Sequence, residues 1–205
     1  MIRNPPSATC RLPGRPREFD LDRVLDAAVR VFRERGYHAT SIADLRRAMG
    51  LTAGSLYKAF GDKRGVYVAA LERYLRDRES ALTTYLAGAD TGKDRVRALL
   101  QGYAAVSHDA EGRLGCLVLG GVTDIDTFDA GLAEHFRAAL SRLENRFAAA
   151  LEQGIADGSV ASDLDVTASA RYLLCVVEGM RALGKRGATM PEVDAVVEQA
   201  MRALR

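Results

Sequence analysis

Residues 40–67, TSIADLRRAMGLTAGSLYKAFGDKRGVY, carry the densest structural punctuation in the chain. Ser41 and Asp44 stand in S-x-x-D spacing, a capping box that satisfies the otherwise unpaired N–H groups of a helix start. Ile42, Leu45 and Met49 recur on one helical face, and Gly50 follows where a left-handed residue ends a helix at low cost. Thr52 then caps a second helix, anchored by the i,i+4 apolar pair Leu56 and Phe60. Asp62 opens a third helix at once. Two short helices around a Gly-bearing turn, with another helix directly behind, form the pattern of a helix-turn-helix DNA reader. The face of the second helix left outside is Thr52, Ala53, Gly54, Ser55, Tyr57 and Lys58. Its small first residues allow close approach to a major groove, and its hydroxyl and cationic groups suit phosphates and base edges.

More fixed points surround this core: Gly36-Tyr37, Ala39-Thr40-Ser41, the turn Met49-Gly50-Leu51, and Gly54-x-Leu56-Tyr57-x-x-Phe60-x-x-Lys63. With them, residues 18–67 resemble the DNA-binding domain of the TetR/AcrR family of bacterial transcriptional regulators. The resemblance implies an all-α protein: a basic arm over residues 1–18, a three-helix helix-turn-helix domain over 19–66, and a helical ligand-binding and dimerisation domain over 67–205. It further implies a homodimeric repressor that leaves double-stranded operator DNA when an effector binds. Tyr57 and Lys63 would then hold phosphates, Thr40 and Ser41 would offer a hydroxyl and a backbone N–H to another, and Arg11, Arg15 and Arg17 of the arm would either follow a groove or simply be solvated. Ala53 departs from the family, which often carries a bulky basic or polar residue there, so one base-reading side chain is missing.

Bulk properties agree. The 48% hydrophobic and 27% charged residues are ordinary for a globular chain of 205 residues. Residues 1–64 hold 13 Lys and Arg against 7 Asp and Glu, whereas the remainder holds 16 against 20. Positive charge thus collects on the segment that would face a phosphate backbone. The N-terminal residues lack the apolar core of a secretory signal, and no run approaches the length of a membrane span. Cys10, Cys116 and Cys175 are too far apart for a zinc site or a disulfide framework, which points to a reduced, cytoplasmic protein. His38, His108 and His135 have no ligand partners at metal spacing, and no catalytic constellation or phosphate-cradling Gly loop is present. Neither a metal nor a cofactor is expected, nor is enzymatic activity.

Every further segment also reads as helix, for roughly nine in all. Asp20 caps a helix to about Arg35, and Asp62 caps a longer one closing near Gly88. Val96, Leu99, Leu100 and Tyr103 share a stripe; Cys116 to about Ile125 is a short apolar element. Leu132, Phe136, Leu140, Leu143, Phe147 and Leu151 form a long stripe with heptad-like spacing. Asp163 or Asp165 begins a helix that is apolar all round from Tyr172 to Val177, and Thr189-x-x-Glu192 with Pro191 opens the last. Such an apolar circumference needs cover on several sides, and Gly179 and Gly184 would let another helix approach. The resemblance assigns these two final helices to a four-helix bundle between subunits.

Two readings concern the C-terminal part. Tyr103, Val106, Phe128, Phe147, Tyr172 and Met180 are candidates to line an effector pocket, though each also suits a core. Cys116, at a helix start and near Arg113, sits where a thiol becomes nucleophilic. Some family members resemble its Gly-Cys-Leu setting and sense electrophiles or oxidants there; the alternative is a small buried hydrophobe. Cys175, in an apolar helix, is expected to be inert core. For the whole chain, the alternatives to an effector-released repressor are a constitutive DNA-binding or architectural protein and, more remotely, a helical enzyme.

Overall fold

The computed structural model describes residues 20–204. Ten α-helices and one 3-10 turn follow in order: α1 (Leu21–Arg35), α2 (Ile42–Met49), α3 (Ala53–Phe60), α4 (Lys63–Leu86), α5 (Gly92–Ala104), α6 (Asp109–Leu114), α7 (Leu117–Thr123), the turn Ile125–Thr127, α8 (Ala130–Ala156), α9 (Val166–Arg186) and α10 (Met190–Arg202). No strand occurs among the described residues. The expected caps close the expected helices. Asp20, Thr52, Asp62 and Asp165 each accept a backbone N–H three residues on. Ser41 with Asp44 forms the expected reciprocal capping box, and Thr91 with Asp94 adds a further one. The helix beyond the anticipated set is α6, which lacks a side-chain cap and spans only six residues. So short a helix is not stable alone, and its cause is tertiary.

Two hydrophobic cores share two long helices. The first gathers Phe32 of α1, Leu45 and Met49 of α2, Leu56 of α3 and Val66, Tyr67, Leu71 and Tyr74 of α4. It also takes in Leu117 of α7 and Leu132 and Phe136 of α8. The second joins Leu82 of α4, Leu99 and Leu100 of α5, Leu143, Phe147 and Leu151 of α8, and buried faces of α9 and α10. Along α8 the single heptad-like stripe therefore serves both cores in turn. At 1.5 Å per residue this helix is about 40 Å long, enough to run past both. The two α9 glycines have opposite uses. Gly184 meets Gly112 of α6 and the Ser107 backbone so closely that a Cβ would displace them, whereas nothing lies near Gly179 among the described residues.

Candidate nucleic-acid interface and the interior behind it

The turn between α2 and α3 depends on Gly50, whose φ of 66° is left-handed and whose N–H bonds to the Arg46 carbonyl. Beyond it, α3 is held by one buried residue, Leu56, and by half-buried Phe60. Its other side presents Thr52, Gly54, Tyr57 and Lys58 to solvent, with Ala53 and Ser55 half-buried between them. Tyr57 is 50% exposed, an unusual position for a large aromatic ring, with nothing among the described residues to cover it. A Cβ on Gly54 would meet only open space, so packing does not demand glycine there. Ser41 is exposed at the start of α2, its hydroxyl donating to Asp44 at 2.6 Å.

Thr40 and Lys63 are placed differently from their expected phosphate-facing roles. Thr40 is buried, and its hydroxyl donates inward to the Gly36 carbonyl at 2.7 Å. The Lys63 ammonium donates to the carbonyls of Tyr37 (3.0 Å) and Thr40 (3.1 Å) and lies 4.2 Å from the Tyr37 ring centroid. Thr40 thus closes the α1–α2 loop on itself and Lys63 ties that loop to the start of α4, because the loop's carbonyls have no helical partners. Arg11, Arg15, Arg17 and Cys10 lie outside the described residues.

The same loop docks the reader onto the rest of the chain. Tyr37 packs edge-on against Phe128 at 5.3 Å, and His38 stacks on Phe128 while its Nε2 lies 2.8 Å from the Thr127 hydroxyl. Arg64 at the start of α4 forks onto Asp129, the N-cap of α8. The guanidinium hydrogen bonds hold the Asp129 carboxyl well below the usual carboxylate range. No local sequence signal marks this junction, since its partners lie 65 or more residues apart.

Cys116 is the N-cap of α7, and its Sγ accepts the Leu119 N–H at 3.5 Å. The Tyr74 hydroxyl donates to it from 3.6 Å. Burial, and next the Cys116 sulfur, push the Tyr74 phenol well above its ordinary value, so it stays a donor. The helix start was anticipated; the cation was not. Arg113 points to solvent, and the nearby guanidiniums belong to Arg33 of α1 and Arg181 of α9. Both donate to the one carbonyl of Gly115, at 2.8 Å and 3.0 Å. Arg181, only 1% exposed, also donates to the Val106 carbonyl and to Ser107. Lys185 adds its ammonium at 3.2 Å from the Leu114 carbonyl and 3.4 Å from that of Arg33. Three cations from α1 and α9 therefore clasp the C-terminal end of α6, where helix carbonyls are otherwise unpaired. This clasp is what folds α6.

The candidate pocket residues do not meet in one place. Tyr103 borders a small cavity of about 50 Å³ with Arg78, Leu82 and Arg146, and burial raises its phenol to about 12. Phe147 and Met180 are fully buried core, and Phe128 belongs to the junction with the reader. Tyr172 is 42% exposed. Cys175 is likewise exposed rather than core. The cause is helical phase: Leu173, Val177 and Met180 turn inward, leaving Tyr172, Cys175, Gly179 and Ala182 on the outer side of α9. An open groove of about 440 Å³ continues that outer face between Val176, Leu183 and Val196.

A solvent-facing helix behind a Gly turn, carried on a helical body, defines a helix-turn-helix DNA-binding protein. The family profile described as "Bacterial regulatory proteins, tetR family" matches residues 24–70, and the "Tetracyclin repressor-like, C-terminal domain" matches residues 92–204. The chain is 30% identical to the transcriptional repressor ComR of Escherichia coli (strain K12), covering 92% of this chain and 90% of that protein. It is 32% identical to the uncharacterized transcriptional regulator YezE of Bacillus subtilis (strain 168), over 78% and 83% of the two. Among solved structures, a cysteine-substituted form of the TetR family transcriptional regulator CifR, complexed with a 26-base-pair operator DNA, superposes with a TM-score of 0.83. Identity there is 33%, over 94% of this chain and 100% of that one. The chain belongs to the TetR family, and it is a DNA-binding transcriptional regulator rather than an enzyme. No helix among the described residues is long and apolar enough to cross a membrane.

Proposed function

We propose that the chain is a homodimeric repressor that holds double-stranded operator DNA through α3 and lets go when an effector or a reactive electrophile acts on the C-terminal body. The observation that carries this reading is the pairing of two uncovered faces. The outer side of α3 bears Thr52, Gly54, Tyr57 and Lys58, and the outer side of α9 bears Tyr172, Cys175, Gly179 and Ala182. The first suits a duplex, with Tyr57 reaching phosphate and Ser41 offering its backbone N–H at the start of α2. Lys63 supports the same surface by fixing the loop before α2. The second face suits its own symmetry mate. Two readers related by a two-fold axis then meet half-sites on one side of the DNA.

Release follows if the effector prefers a conformer whose readers no longer match the half-site spacing; differential affinity for the two conformers suffices. Cys116 is the proposed point of attack for an electrophile, since it lines a cavity and stands at the start of α7, which leads to the Phe128 junction with the reader. Two measurements test the proposal. Light scattering should give twice the 22.2 kDa chain mass, falling to the single mass for Gly179→Glu. Gel-shift against DNA from immediately upstream of the protein's own gene should show binding that a maleimide or quinone reverses in the parent protein but not in Cys116→Ser. A monomeric parent, or release unchanged in Cys116→Ser, removes the corresponding half of the proposal.

A further inference from the structure

The charge balance around Cys116 is incomplete. A cavity of about 340 Å³ lies between the end of α1, α7 and α9, with Cys116, Leu119, Arg33, Arg181 and Lys185 in its wall. Arg33 is neutralised by Glu111 at 2.8 Å. Arg181 and Lys185 have no carboxylate at ion-pair distance among the described residues; carbonyl and hydroxyl oxygens hold them, with the Cys116 sulfur and Tyr74 hydroxyl also beside Arg181. The Arg181 Nε–H has no acceptor at all among these residues, although Arg181 is 1% exposed. Of the two acids in the wall, Glu34 is paired with Arg30 at 3.0 Å, which leaves Asp124. Glu178 lies one turn from Arg181 on α9 but beyond ion-pair distance; burial raises its carboxyl and the Arg181 charge lowers it. A buried guanidinium with an idle donor and no carboxylate in contact is costly, and an anion is a partner that relieves it.

We propose that this cavity binds a small organic anion. Its carboxylate, or a like group, would take the idle Arg181 Nε–H and a proton of the Lys185 ammonium, while its carbon skeleton lies along Leu119 and Cys116. The inference deepens the effector-released reading, and only its regulatory consequence rests on that reading. An anion that draws Lys185 and Arg181 toward itself competes with the carbonyls of Leu114 and Gly115, loosening the clasp between α1 and α9. An anion that also carries an electrophilic carbon would be delivered to the Cys116 sulfur.

Iodoacetate and iodoacetamide test this as a matched pair, one charged and one neutral. With either, the thiolate forms an S–C bond, the C–I bond breaks and iodide leaves. Labelling of Cys116 in the full chain is followed by peptide mass spectrometry at constant ionic strength, without DNA, so failure here leaves the operator reading standing. The expected result is that the iodoacetate-to-iodoacetamide rate ratio is roughly tenfold higher in the parent than in Lys185→Gln, with propionate competing. Lys185 is exposed, and an unchanged melt checks that the variant folds. The same ratio in both proteins overturns the proposal. If Cys116 takes neither reagent, melting decides: propionate must raise the transition temperature above equal propionamide, and by less in Lys185→Gln. Equal shifts overturn it.

Discussion

Two pairs of short helices in this molecule are built by opposite means. In α2 and α3 the polar termini are closed from within three residues, Ser41 with Asp44 and Thr52 with Ser55. At the end of α6, just before α7, they are closed from across the chain: Arg33 is 82 residues from the Gly115 carbonyl it binds, Arg181 is 66, and Lys185 is 71 from Leu114. A locally closed unit keeps its shape wherever it is carried, which suits a surface that must match DNA. A segment folded by distant cations changes when those cations move, which suits a part that must respond.

The sharpest way to break the comparison is to remove its central cation. Arg181→Met keeps an apolar stem but strands the Val106 carbonyl and leaves the Gly115 carbonyl to Arg33 alone. The expected loss is about 1–3 kcal/mol, read by chemical or thermal denaturation. Thr52→Ala, which removes a local cap, should cost only about 1 kcal/mol. If the two variants melt alike, α6 is not held as argued. Of similar size is Gly184→Ala, whose Cβ would press on the Ser107 backbone and cost about 1–3 kcal/mol. Gly179→Ala on the same helix meets nothing among the described residues, so any effect should be confined to dimer affinity measured by dilution.

Those distances also explain what could be read from sequence. The reader was legible in detail because caps, the Gly50 turn and the Leu56 with Phe60 anchor are all short-range signals. Helix order was legible for the same reason, and the long α8 stripe announced itself, though not that it serves two cores. The placements of Thr40 and Lys63 were not legible, since no spacing rule says that a hydroxyl turns inward or that an ammonium caps a loop 23 residues back. Helical phase decided Tyr172 and Cys175, and an all-apolar run does not reveal which side faces the rest of the chain. Around Cys116 the helix start was visible, but its cations came from α1 and α9 through tertiary packing. An unremarkable run of Arg and Lys in sequence carries no mark of that.

Lys63 and Tyr57 sharpen the contrast within the reader itself. Lys63→Met removes two charge-assisted bonds to loop carbonyls, so it should cost about 1–2 kcal/mol of stability and lower affinity for operator DNA together. Tyr57→Phe touches no partner among the described residues and should change stability by less than about 0.5 kcal/mol. Its effect should appear only as weaker binding to all duplexes alike, measured by gel-shift or anisotropy. Stability loss in Tyr57→Phe, or none in Lys63→Met, would reverse the two roles.

The smallest effect is the most diagnostic of the junction. Hydrogen bonding from Arg64 lowers Asp129, and hydrogen bonding from Ser41 lowers Asp44. A carboxyl lowered in the folded state adds stability that is present above its unfolded value and lost as pH falls through the folded one. The melting temperature should therefore decline on acidification below the ordinary carboxylate range. Both groups are exposed, which keeps each contribution modest. Asp129→Asn should flatten part of that decline while leaving the melt above it little changed apart from loss of the Arg64 tether. Glu178 works with the opposite sign: raised by burial, it costs stability as pH climbs through its folded value, so Glu178→Gln should gain most at neutral pH. A pair of melting curves from acid to neutral pH separates the two. Asp129→Asn should differ in shape on the acid side and Glu178→Gln on the neutral side; coincident curves would mean that neither carboxyl is tied to its surroundings as the geometry requires.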